Sequence, residues 1–317
     1  NCKNRRHSKD LNFQTMIRLI VYYVPLIGII TDNLVFGPSY STTGTLPKLD
    51  KDDFEEVLYI GGNSFQNSNL CLHKESFQFY TIDKMKDSER NKYFIQKEFY
   101  SKMYVMCENS CIIPCYGFFE SQSYRGYESQ NGFLFKFICN GKITDIKSRK
   151  KGIAVKCFDN TTRSLIAYRL LASITFLHEF GYYHRNVKPD HIFLDNENRA
   201  YFGGFATICK LSNTKNEAIG ADAYQSPEQY SSNISSVHSD IYSFGLNFRY
   251  INTGGTNYYL KNNEKIDALF EECTNKYPEL RPDSLILFIK MHELNTFLPY
   301  TNRTLIDNFF NFTFSSF

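Results

Sequence analysis

From Thr162 onward the apolar residues of this chain change period, and that change limits the folds open to it. Leu165, Ile166, Leu170, Leu171, Ile174 and Leu177 recur at helical spacing and predict a core helix ending near Gly181. Upstream the period is mostly two. Asp52 to Lys86 carries short alternating apolar runs, as an antiparallel sheet requires, and Ile112 to Phe119 and Phe133 to Ile138 read as further strands. One helical stretch, Tyr93 to Met106, interrupts them. Downstream, helices are expected over Ile241–Tyr250, Ile266–Glu272 and Asp283–His292. Strands first and helices second is the order of an α+β fold with segregated layers. No internal repeat is present.

Composition narrows the class. Of 317 residues, 42% are hydrophobic and 22% charged, which is enough apolar surface for a buried core. A net charge of +3 supplies no basic stripe, so no nucleic-acid partner is expected. Nine cysteines, odd in number and scattered, are no disulfide framework; they read as reduced thiols in a cytoplasmic protein. Cys111 and Cys115 lack the second Cys/His pair of a zinc site, so no metal is expected there.

Residues 1–50 read as a flank. A basic start precedes the apolar run Leu19–Ile30, and Ser39 to Pro47 is a turn-rich linker. The run is shorter than the roughly 20 apolar residues of a bilayer span, which favours a segment docked on the domain, or part of a truncated upstream region, over a membrane or signal role; the latter stays open. Residues 293–317 form a tail rich in Phe, with Phe309, Phe310, Phe312, Phe314 and Phe317 expected to pack on a partner or on the domain itself.

Four motifs stand in order between these flanks. His184 to Asp195 is HRNVKPDHIFLD, Ile219 to Glu228 is IGADAYQSPE, Ser239 to Gly245 is SDIYSFG, and Cys273 to Pro282 is CTNKYPELRP. They resemble the catalytic loop, activation-segment end, central helix and closing motif of eukaryotic protein kinases, in the Ser/Thr or tyrosine-kinase-like group. The resemblance implies a two-lobed domain over residues 51–292, with a sheet lobe over 51–139 and a helical lobe over 140–292. It implies structural roles for His184, Arg185 and Phe205, an anchor for the catalytic loop at Asp240, and a buried pair between Glu228 and Arg281. Arg185 would hold a phosphorylated activation segment, with Ser212 and Thr214 as candidates.

The same resemblance exposes losses. In the Gly-rich loop position, IGGNSFQNSNL keeps Gly61, but Asn63 and Gln66 replace the second and third glycines and Ser68 replaces the Val. A side chain there blocks the approach of backbone to phosphate. Asp83 falls on the Lys that pairs phosphates, and like charge is expected between it and Glu98 of the first helix. Lys84 would replace it only after a one-residue register slip. Thr81 and Phe193 complete the degenerate ATP site. Asn186 stands for the catalytic Asp and cannot accept a proton. His191 and Gly204 stand for the Asn and Asp that hold magnesium, and Lys188 alone is retained. The expectation is a catalytically inactive member, a pseudokinase acting as a signalling or allosteric platform, with no cofactor and with a protein partner such as an active kinase. Its partner surfaces would be the helix face 93–106, the segment 207–228 and the tail. Two alternatives are an atypical active kinase using ATP and Mg, and a metal-independent nucleotide sensor.

Overall fold

The computed structural model describes residues 45–104, 111–120, 131–144, 147–148, 152–153, 158–213, 219–253 and 264–295. The Leu19–Ile30 run, Thr214 and the tail beyond residue 295 lie outside them.

The first lobe is one antiparallel sheet of β1 (Phe54–Gly62), β2 (Gln66–His73), β3 (Phe79–Met85), β4 (Cys115–Phe119) and β5 (Gly132–Lys136), in the order β1-β2-β3-β5-β4. Helix α1 (Arg90–Met103) joins β3 to β4. Alternation along the strands gives the sheet two apolar faces. Met85, Phe133 and Phe135 share the main core with Tyr93, Tyr100 and Met103 of α1. Cys71, Tyr80, Ile82, Phe119 and Leu134 form a second cluster on the opposite face. The end of the stretch read as a linker is not free: Leu46 is buried, Phe118 N–H donates to the Pro47 carbonyl at 3.0 Å, and Leu49 N–H donates to the Phe118 carbonyl at 2.9 Å. These contacts cover the edge of β4, whose backbone groups would otherwise face water.

The second lobe opens with the short pair β6 (Lys147–Ser148) and β7 (Gly152–Ile153), then α2 (Asn160–Glu179). The Asp159 carboxylate accepts from Thr162 N–H at 2.7 Å and starts the helix. The predicted one-sided stripe understates α2. From Ile166 to Leu177 every residue but Arg169 is buried, because α2 packs at once against later helices and a β-strand; Leu165 is only partly buried. Two hairpin-like pairs carry the loop motifs: β8 (Tyr182–Tyr183) with β11 (Cys209–Lys210), and β9 (Ile192–Leu194) with β10 (Ala200–Phe202). Then follow α3 (Pro227–Ser232), α4 (Val237–Thr253), α5 (Glu264–Cys273) and α6 (Ser284–Asn295). Among the described residues no helix is long and apolar enough to cross a membrane.

Candidate functional site

The loop after β8 is held from below by α4. Asp240, buried in the first turn of that helix, accepts from His184 N–H at 2.6 Å and from Arg185 N–H at 2.8 Å. Both carboxylate oxygens are thereby used to fix the loop backbone. Arg185 takes a left-handed φ of 70° and is buried, with Nε donating to the Thr207 carbonyl at 2.6 Å. Ser212, a proposed phosphate carrier, is exposed, and Thr214 lies outside the described residues. Further out, Arg281 meets Glu228 with two bonds, Nη1 to Oε1 at 2.7 Å and Nη2 to Oε2 at 2.8 Å.

The roof of the cleft is the β1–β2 hairpin. The Asn63 side-chain oxygen accepts from Phe65 N–H at 2.8 Å and from Gln66 N–H at 3.0 Å, so the hairpin satisfies with its own carboxamide two donors that a phosphate would need. Gln66 turns inward and is buried, donating Nε2–H to Asp83 Oδ2 at 2.6 Å. Ser68 pairs with Asp83 across the ladder and also hydrogen-bonds its carboxylate. Burial raises the Asp83 pKa to about 6, against the lowering effect of Ser68 and Gln66. Thr81 lies opposite Phe135 on the same face, partly buried. Lys84 points the other way and pairs with Glu56 at 2.5 Å, so the register puts the carboxylate, not the ammonium, in the cleft.

The expected Asp83–Glu98 repulsion is absent. Glu98 pairs instead with Lys210 of β11 at 2.5 Å and Lys102 at 3.5 Å, and accepts from the Tyr182 hydroxyl at 3.3 Å. The Lys210 contact foremost, then Lys102, lowers its pKa. The residue of α1 that faces β3 is Gln96, buried and donating to the Met85 sulfur at 3.4 Å. Sequence reasoning missed it by choosing the carboxylate. The apolar spacing Tyr93, Gln96, Tyr100, Met103 was the available signal.

The floor is the corner where the loop meets Gly203–Gly204. Gly204 has a φ of 80°, and a Cβ built on it would lie 2.5 Å from Cδ2 and Nδ1 of the His191 ring. His191 Nδ1 donates to the Asn186 carbonyl at 2.9 Å. The Asn186 side-chain oxygen accepts from Ala221 N–H at 3.1 Å, so it tethers the segment leading to α3. Phe205 is buried between His184 (5.1 Å between centroids) and Phe99 (5.1 Å). Phe193 is partly buried beside Gly203. Lys188 stands 4.0 Å from Asp190. Burial lowers the His184 pKa to about 4 and keeps His191 well below the usual imidazole range, so both rings are neutral at pH 7. Among the described residues no cluster of three or more His, Cys, Asp or Glu is placed to hold a metal ion.

Magnesium takes oxygen ligands in near-octahedral geometry. Here the corner offers an imidazole against a glycine, and the phosphate side offers a carboxylate at 83 and a capped hairpin. The residues present do not fit a magnesium–triphosphate group.

A protein kinase domain family model matches residues 54–301, and the chain belongs to that family. It is similar to mitogen-activated protein kinase kinase 1 of Arabidopsis thaliana, 25% identical over 205 residues, or 63% of this chain and 54% of that protein. It is similar to the MAP kinase kinase skh1/pek1 of Schizosaccharomyces pombe, 22% identical over 227 residues, covering 68% and 59%. A dual serine/threonine and tyrosine protein kinase of Bos taurus is 29% identical over 127 residues, 40% of this chain and 12% of that protein. The chain thus spans little more than half the length of the MAP kinase kinases it matches.

Proposed function

We propose that this protein is a pseudokinase, a protein kinase domain that serves as a cytoplasmic binding or allosteric platform for a protein partner in kinase signalling. The observation that carries this is the floor of the cleft: the His191 ring fills the space next to Gly204 that any side chain at that position would need. Three further features support it. The general base is replaced by Asn186, whose side-chain oxygen is engaged by Ala221 N–H. Asp83 lies where a phosphate-pairing cation would be required, and Asn63 caps its own loop. Loss of a positioned base alone costs typically 10²–10⁴ in rate, and loss of charge stabilisation adds to that. The relatives' names place them in protein-phosphorylation signalling, which is the basis for the partner class. Cys71, Cys139, Cys209 and Cys273 are free thiols, in keeping with a reducing compartment. The test is phosphoryl transfer by Asn186→Asp. With ATP, magnesium and a generic protein substrate it should show no activity above the parent; transfer gained by that one change would mean the rest of the site is competent.

A further inference from the structure

Four hydrogen bonds close a ring at the cleft floor. Asn186 N–H donates to His184 Nδ1 at 3.2 Å, and His184 Nε2–H donates to the Gly203 carbonyl at 3.1 Å. Gly203 N–H donates to the His191 carbonyl at 2.9 Å, and His191 Nδ1–H returns to the Asn186 carbonyl at 2.9 Å. A backbone N–H only donates and a carbonyl only accepts. The ring therefore forces opposite tautomers: His184 carries its proton on Nε2 and His191 on Nδ1. Each half of the ring joins the catalytic loop to the Gly203–Gly204 corner, and the His191 imidazole also lies flush on Gly204, leaving no room for a Cβ. The two residues at the metal-binding positions are thus not independent losses. The volume given up at 204 is the volume taken by the ring at 191.

We propose that His191 is a built-in occupant of this corner and its positioning residue, holding Asn186 and Gly204 in register by hydrogen bond and packing so that the corner is ordered without a cation. The proposal deepens the pseudokinase reading and rests on it for the absence of metal–nucleotide chemistry. It makes Gly204 and His191 a matched pair, in which a side chain at 204 is tolerated only when the ring at 191 is removed.

Two measurements test this. The first is a double-mutant cycle on stability with Gly204→Ala, His191→Ala and the double variant. The cost of placing a non-glycine residue at left-handed φ is common to both arms and cancels, so the cycle isolates the contact. Gly204→Ala should lower the folding equilibrium constant at least tenfold more in the parent than in the His191→Ala background. Should Gly204→Ala alone fail to fold, folding of the double variant supports the pairing equally. An equal loss in both backgrounds overturns it. The second needs no variant: nitrogen-15 NMR of labelled histidines in the parent should find His191 in the Nδ1–H tautomer and His184 in the Nε2–H tautomer, unchanged by millimolar magnesium or by a chelator. His191 in the Nε2–H form, or a magnesium-dependent change at these rings, overturns the ring. The outcomes separate from those of the pseudokinase reading: the wrong tautomer in a protein that transfers no phosphate refutes the ring alone, and phosphate transfer by the parent refutes the function.

Discussion

Removing Arg281 tests whether the helical lobe is held as described. Its side chain is fully enclosed, and that of Glu228 is 15% exposed. Beyond the two bonds to Glu228, the guanidinium donates to the His238 carbonyl at 2.9 Å and, through Nε, to the Asn275 carbonyl at 2.8 Å. Arg281→Met keeps much of the volume but leaves the Glu228 carboxylate buried, with Ser239 Oγ at 2.8 Å still donating to it. Removing one partner of a buried pair costs roughly 3–5 kcal/mol. That is a large part of the roughly 5–15 kcal/mol available to a domain. Urea unfolding followed by circular dichroism should register a loss of about that size. The pH dependence carries a second signature. Burial acts to raise the Glu228 pKa, but hydrogen bonds from Arg281, then Ser226 and Ser239, outweigh it and leave the value lowered. A folded-state pKa below the unfolded one gives stability that is present above the unfolded glutamate pKa, about 4.3, and lost as pH falls through the folded value. Arg281→Met should abolish that acid-side loss, because the uncompensated carboxylate then prefers its proton. A cost under about 1 kcal/mol would be that of a surface ion pair and would refute the enclosed, bidentate arrangement.

Asp83 gives a pH effect of opposite sign. Its pKa is raised to about 6, so the folded protein binds more protons than the unfolded chain between the ordinary aspartate pKa, about 3.9, and pH 6. Stability from this group is therefore lost as pH rises through about 6, and Asp83→Asn should be more stable than the parent at pH 7.5, with little difference at pH 4, in urea unfolding at the two pH values. Asn63→Gly should leave the fold intact but raise hydrogen-exchange rates at the Phe65 and Gln66 amides, read by NMR; unchanged rates would mean that the carboxamide does not cap the hairpin. Asn63→Gly should gain no nucleotide binding while Asp83 remains.

The scaffold was legible because the ordered motifs carried it: their resemblance to protein kinases assigned Asp240 to hold the catalytic loop and paired Glu228 with Arg281, and those contacts are present. The alternation along β3 was equally readable: it put Asp83 on the face of Met85 and Lys84 on the face of Ile82, and the ladder keeps that register. What failed was the helix face. The resemblance put the helix glutamate that faces β3 at Glu98, yet α1 turns Gln96 toward β3 and leaves Glu98 half-exposed beside Lys210. The fit of His191 to Gly204 could not be read, since two residues far apart in sequence reveal a shared volume only once β9 and β10 bring them together. Nor could the Asn63 cap be separated from an ordinary polar substitution without the turn geometry that aims its oxygen at two amides.

The pseudokinase proposal requires that the cleft take no metal–triphosphate. A thermal-shift titration with ATP, run with and without magnesium, measures it most directly, because a ligand at a hundredfold excess over its Kd stabilises a protein by about 2.7 kcal/mol. No saturable shift is expected in either series. A saturable shift that requires magnesium would contradict the claim, and one that appears without magnesium would move the protein to the class of metal-independent nucleotide sensors.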